Sequence, residues 1–273
     1  EDVLDDGTRI QVLLRCSEEG LQVDFSGSGP VHDGNLNATE AIVRSAVLYV
    51  LRAWVGDHLP LNEGLLDDVH IKTPEGILSP VFPEDPAVCP AVVGGNVETS
   101  QRIVDVLLDA LDLQANSQGT MNNFLFGNAA FAYYETIGGG SGAGPGWSGL
   151  SGTHVHMSNT AITDPEILER RFPVRLLRFS LREGSGGRGR WNGGCGLERE
   201  FEFLEGMTVS MLTQRRKKGP RGKKGGAAGL PGRQDILRRD GSCEELPGIC
   251  SFTVETGERV RIVTPGGGGW GEP

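Results

Sequence analysis

The chain has 273 residues, enough for one large domain or two ordinary ones, and its 37% hydrophobic content is enough to bury a sizeable core. A net charge of −10 and a pI near 5.1 argue against nucleic acid or an anionic membrane as the main partner. The 42 glycines, about twice the usual share of roughly 7%, cluster at 138–152, 184–196, 219–232 and 265–271, which predicts long structured loops rather than a disordered tail.

In chain order, Arg9 to Cys16 and Leu21 to Phe25 flank Ser17-Glu18-Glu19-Gly20 and read as a β-hairpin with a four-residue loop. Asn37, three before Glu40, predicts a capping box ahead of a mostly buried helix over 41–55, with Glu40 and Arg44 paired one turn apart. Residues 56–90 carry six prolines and read as loop with one short strand at Val69-His70-Ile71. The clearest helix runs from Glu98 to Leu113: Glu98, Gln101, Arg102 and Asp105 fall on one side and Ile103, Val104, Leu107 and Leu108 on the other, with Asn96 or Thr99 as cap. Phe124 to Tyr134 reads as a strand pair turning at Gly127-Asn128. Thr163 and Glu166 predict a second capping box, with Pro165 in the first turn and Phe172-Pro173 as the stop. Val174 to Arg182, Leu197 to Leu204, Met207 to Thr213, Phe252 to Glu255 and Arg259 to Val263 read as strands. Leu197, Arg199, Phe201 and Phe203 alternate on one face of the second of these. The expected fold is α+β: mixed and antiparallel sheets, two or three long helices and long Gly-rich loops, divided into a mixed part over 1–173 and a β-rich part over 174–273.

Chemistry concentrates in 138–173. His154 and His156 would share one face of a strand, a spacing that metal sites use, and Asp164, Glu135 and Glu98 are the acidic residues available as further ligands. Substrate binding or proton transfer by the two histidines, or a purely structural role, are the other readings. The glycine run lacks GxxxxGK[ST] and does not read as a dinucleotide fingerprint, so a wide loop lining a cavity or interface is expected there. Arg188 and Arg190 could hold a carboxylate or phosphate, or lie in a solvated turn. The basic run Arg215 to Lys224 has no interleaved aromatic residue, which predicts a mobile solvated loop or a contact with an acidic partner subunit. Five widely spaced cysteines with no CxxC pair suit free thiols in a reducing cytosol, and Cys89 has no nearby histidine to activate it. No basic-then-apolar leader is visible, and 41–55 is too short and too charged to span a bilayer, so a cytoplasmic location is expected.

Several ordered motifs carry a resemblance. Asp24-Phe25-Ser26-Gly27, Thr120-Met121-Asn122-Asn123, Tyr134-Glu135-Thr136, the run from Gly152 through His154, His156, Ser158, Asn159 and Thr160, then Thr163-Asp164-Pro165-Glu166, Gly184-Ser185-Gly186-Gly187-Arg188-Gly189 and Thr264-Pro265-Gly266-Gly267 resemble the hydantoinase B/5-oxoprolinase family, specifically the C-terminal half of its B-type subunit. The resemblance implies ATP-dependent opening of a small cyclic amide such as 5-oxoproline, a hydantoin or a lactam. ATP would be bound by a hydantoinase A-like partner subunit that phosphorylates the substrate carbonyl oxygen. The B-type part would then direct water onto the activated carbon. It also implies the N-terminal half of the B-type subunit as a second partner, and that half carries the family's metal-binding motifs, so a divalent metal would sit there. On this reading His154 and His156 are the catalytic candidates, and Asn122, Asn159, Thr160 and Asp164 are the substrate-binding ones. The alternatives are a structural or assembly segment of such a complex and a subunit of a related ATP-dependent ketone carboxylase.

Overall fold

The structure, a computed structural model, describes residues 1–56, 60 and 62–273; part of the predicted 56–90 loop therefore lies outside the described residues. The chain forms two compact units, Glu1–Leu113 and Gln114–Pro273. The division read from sequence at 173/174 falls inside the second unit, because strands near residue 130 pair with strands of the last hundred residues.

In the first unit β1 (Asp2–Val3) pairs with β2 (Arg9–Ile10), while β3 (Leu13–Ser17) and β4 (Gly20–Asp24) form the hairpin and β5 (Val69–Lys72) adds in parallel to β4. The hairpin loop is shorter than expected: Ser17 already pairs with Gly20, whose φ of +116° suits glycine, leaving Glu18-Glu19 as the turn. Helix α1 (Glu40–Val55) buries Val43, Ala46, Val47, Val50 and Leu51, but Trp54 is half exposed, so one face is buried rather than most of the helix. The predicted capping box is absent. The helix begins at Glu40, which leaves Asn37 too far upstream to cap; its amide instead ties the loop, accepting from His32 N and donating to the carbonyls of His32, Gly34 and Ala91. Arg44 pairs with Glu63, and Glu40 accepts from the Ser79 hydroxyl.

Helix α2 (Ser100–Ala110) continues a π-helical turn over Gly95–Thr99, and neither Asn96 nor Thr99 caps it with a side chain. Its polar side is as buried as its apolar side: Glu98, Gln101, Arg102 and Asp105 are all at most 1% exposed. Arg102 is held there by Asp2 at 3.2 Å and the Val3 carbonyl at 2.7 Å, so the strand at the start of the chain covers the face that amphipathicity alone assigns to water.

The second unit stacks two antiparallel sheets. One has the order β13 (Ile249–Val254), β10 (Met207–Leu212), β6 (Asn123–Gly127), β7 (Ala132–Glu135). The other has the order β12 (Cys243–Glu245), β11 (Arg233–Leu237), β14 (Arg259–Val263), β9 (Gly196–Phe203), β8 (Val174–Arg182). Their inner faces share one core, in which Phe126 packs on Tyr133 at 4.7 Å and edge-on to Phe203 and Phe172, and Phe124 packs on Phe201. Helix α3 (Pro165–Arg171) lies beside β8 and buries Leu168 in the same core. The α+β class follows the sequence reading, with three α-helices among the described residues, of 16, 11 and 7 residues.

The glycine clusters converge in this unit. Segments around 140, 149, 187, 194, 227 and 267 run side by side and bond through their backbones outside any sheet: Gly140 N to Pro265 O, Gly194 N to Ser141 O, Gly267 N to Gly194 O, Gly187 N to Gly267 O, and Gly269 N to Ala227 O, all at 2.8–2.9 Å. A Cβ on Gly140 would stand 2.0 Å from Gly194 O, and one on Gly267 would stand 1.9 Å from Ser141 O. Glycine is needed there because neighbouring backbones occupy the space of a side chain. Trp191 and Trp270 close one end through an isolated backbone bridge.

The basic run is built in rather than mobile at its start. Arg215 is buried, and Arg216 donates to Gln234 Oε1 at 2.7 Å, to Gln214 O at 2.7 Å and to Asn122 Oδ1 at 3.0 Å. All five cysteines are free thiols. Among the described residues no helix is long and apolar enough to cross a membrane.

Candidate functional site

The candidate loop, 152–164, is pinned at both ends. At its start Gly152 N donates to Cys195 O, and Thr153 exchanges two backbone hydrogen bonds with Gly139. At its end Thr163 N donates to Glu135 Oε2, and Thr163 Oγ1 lies 2.9 Å from the Tyr133 hydroxyl, which itself donates to Glu135 Oε2 at 2.7 Å. Arg199 donates to the other oxygen of Glu135. That guanidinium is fully buried, lies over the rings of Phe201 and Phe179, and is pushed down to about 10 by burial, so it remains charged at neutral pH.

Between these anchors the loop does not form the expected strand. His156 has φ +54°, Val155 is buried, and Ser158 N turns back to Val155 O at 3.1 Å. The two histidines therefore do not share a strand face, and the spacing argument for a paired metal site fails on backbone geometry. Of the acidic residues offered as further ligands, Glu135 is in the Arg199 ion pair and Asp164 caps α3, while Glu98 belongs to the first unit. Among the described residues no three side chains of His, Cys, Asp or Glu converge as a metal site.

His154 is the chemically prominent residue. Its ring is half-buried, with Nδ1 3.0 Å from Ser158 Oγ and Nε2 3.5 Å from Thr160 Oγ1; Thr160 Oγ1 in turn bonds Thr136 Oγ1. Burial holds the imidazole below its usual pKa, so it stays neutral near neutral pH. An imidazole depressed in the folded state leaves the unfolded chain to take the proton first, so stability falls as pH drops from about 6.5 toward the folded value. His154→Gln should lose less stability than the parent protein over that window, read as urea midpoints at about pH 7.5 and about pH 5.5.

The remaining sequence candidates separate into two groups. Thr160 and Asn159 are both exposed, and Thr160 lies beside His154. Asn122 and Asp164 have structural partners. Asn122 is fully buried at φ +48°, donates to Gln118 Oε1 and Ile137 O, and accepts from Arg216. Asp164 accepts from Glu166 N and Ile167 N as the α3 N-cap, which displaces the predicted Thr163–Glu166 box by one residue and leaves Thr163 to bond Glu135 and Tyr133. Sequence reading did not single out Ser158, Thr136, Tyr133 or Arg199 as site residues. The one available signal was Arg199 on an otherwise apolar strand face, since a charge placed inward needs a buried partner.

The loop thus sets a half-buried imidazole among hydroxyls, braced by a buried ion pair, within an α+β scaffold. The family is explicit: the chain belongs to the hydantoinase B/oxoprolinase family, whose model matches residues 1–273. It is 50% identical over 99% of its length to 5-oxoprolinase 1 of Arabidopsis thaliana, of which it covers 21%. It shares its fold with the ATP-dependent caprolactamase of Pseudomonas jessenii (TM-score 0.82, 23% identity, 98% of this chain and 49% of that one). An acetone carboxylase shares it too (TM-score 0.84, 17% identity, 96% of this chain and 41% of that one). The chain thus spans about a fifth of its plant relative and under half of each solved chain.

Proposed function

We propose that this chain is part of the B-type component of an ATP-dependent cyclic amide hydrolase, with 5-oxoproline as substrate. The observation that carries this reading is the 50% identity, across nearly the whole chain, to a 5-oxoprolinase. An amide carbonyl is a poor electrophile; phosphorylation of its oxygen by an ATP-binding A-type partner activates the ring carbon, water adds there, the ring C–N bond breaks as the nitrogen takes a proton, and a second water hydrolyses the resulting acyl phosphate to carboxylate and phosphate. The B-type component then holds the intermediate, places a water and excludes bulk solvent. In this scheme His154 orients the intermediate or handles a proton, with His156 beside it in the loop. Thr160 and Asn159 supply hydrogen bonds to the ring amide or the carboxylate. Asp164 serves by capping α3 where the loop ends, and Asn122 by tying Gln118, Ile137 and Arg216 together. The length that the relatives have beyond this chain completes the site.

The reading is tested with the complete enzyme that contains this chain. Glutamate and ADP should appear together when 5-oxoproline and ATP are supplied. Consumption of a ketone that depends on bicarbonate, with no turnover of 5-oxoproline, would select the carboxylase instead.

A further inference from the structure

We propose that Ser158 is a positioning residue that holds His154 as the Nε2–H tautomer, so that the loop offers a ligand oxygen an N–H donor rather than a proton acceptor. The assignment follows from counting donors and acceptors. Ser158 is buried, and His154 Nδ1 is the one hydrogen-bond partner its hydroxyl has among the described residues. A hydroxyl carries one hydrogen and two lone pairs. If Nδ1 carried the ring proton and donated to Ser158, the serine hydrogen would be left buried without an acceptor, the costly outcome. If Ser158 donates to Nδ1, its hydrogen is satisfied and only lone pairs go unused, which costs little. The ring proton must then be on Nε2.

The other side of the ring agrees. Nε2 lies 3.5 Å from Thr160 Oγ1, at the long limit of a hydrogen bond, and Thr160 is already engaged with Thr136 Oγ1. A ligand carbonyl or phosphoryl oxygen approaching the exposed Thr160 side can therefore capture the Nε2–H without breaking a good bond. Such a donor stabilises charge developing on the oxygen that leaves or receives electrons. This chemical use rests on the amide-hydrolase reading above; the tautomer does not.

Long-range proton–nitrogen NMR of uniformly 15N-labelled protein, at alkaline pH where imidazoles are neutral, reads the tautomer directly. The His154 resonances are identified by their loss in His154→Gln. A protonated Nε2 and a hydrogen-bonded, unprotonated Nδ1 are expected, with the Nδ1 shift moving to its unbonded position in Ser158→Ala and returning in Ser158→Thr. In the complete enzyme Ser158→Ala should lower kcat roughly tenfold with little change in KM, and Ser158→Thr should restore it. A proton found on Nδ1 in the parent protein, or nitrogen shifts unmoved by Ser158→Ala, would overturn the assignment. A kcat unmoved while the Nδ1 bond is lost would overturn the positioning role. A complete enzyme inactive on 5-oxoproline even with native Ser158 would instead remove the functional reading, and the nitrogen shifts would still decide the tautomer.

Discussion

Arg199→Met is expected to destabilise the protein by about 3–5 kcal/mol, a large part of the roughly 5–15 kcal/mol that typically holds a domain together. The substitution leaves Glu135 charged, buried and facing an apolar core, with only the Tyr133 hydroxyl and Thr163 N as carboxylate partners among the described residues. The cost arises from the abandoned charge more than from the lost attraction. The double variant Arg199→Met with Glu135→Leu should therefore be clearly more stable than Arg199→Met alone, although Thr163 N then loses its acceptor. Urea unfolding of the three proteins separates these cases. A single variant within about 1 kcal/mol of the parent would mean that the ion pair does not brace the loop.

A second large effect is expected at Gly140. Its missing Cβ would sit 2.0 Å from Gly194 O and 2.3 Å from Gly267 N, both backbone atoms of neighbouring segments. No side chain can rotate away to make room, so Gly140→Ala must separate three hydrogen-bonded backbones. The cost should reach or exceed the upper end of the usual overpacking range, about 3 kcal/mol. Gly206→Ala is the matched control: the nearest atom to its added Cβ is Val254 O at 3.7 Å, an ordinary contact, and a change within about 0.5 kcal/mol is expected. Equal stability of the two variants would show that the glycine bundle yields where its geometry says it cannot.

Much of the second unit was legible because its strands obey a local rule. Alternation along Leu197, Arg199, Phe201 and Phe203 placed all four on the inner face, and the bounds of β8 match the predicted Val174 to Arg182. Strands β11 and β12 were missed because Arg-Gln-Asp-Ile-Leu and Cys-Glu-Glu have no apolar alternation; pairing of β11 with β14 and of β12 with β11 holds them in place. Both capping boxes were misread, since a shift of the cap by two residues in α1 (Asn37 to Thr39) and by one in α3 (Thr163 to Asp164) changes which side chain can reach the free N–H groups. The glycine clusters announced close backbone approach, but which segments meet depends on partners far away in sequence, as with Gly268 N on Asn116 O, 152 residues apart. The site shows the same limit. His154 and Thr160 stand in one motif, but Thr136, which binds Thr160, is 24 residues upstream, and Arg199 reaches Glu135 across 64. The family motifs supplied the class that spacing could not, and the family match covers the whole chain.

The central claim, that the 152–164 loop does chemistry rather than assembly, is tested most directly by ATP-coupled hydrolysis of 5-oxoproline in the complete enzyme carrying His154→Ala and His156→Ala. A fall in kcat of about 10²–10⁴-fold is expected, in an enzyme that still assembles and folds. Turnover at the parent rate in that variant would contradict it and leave the loop a structural element.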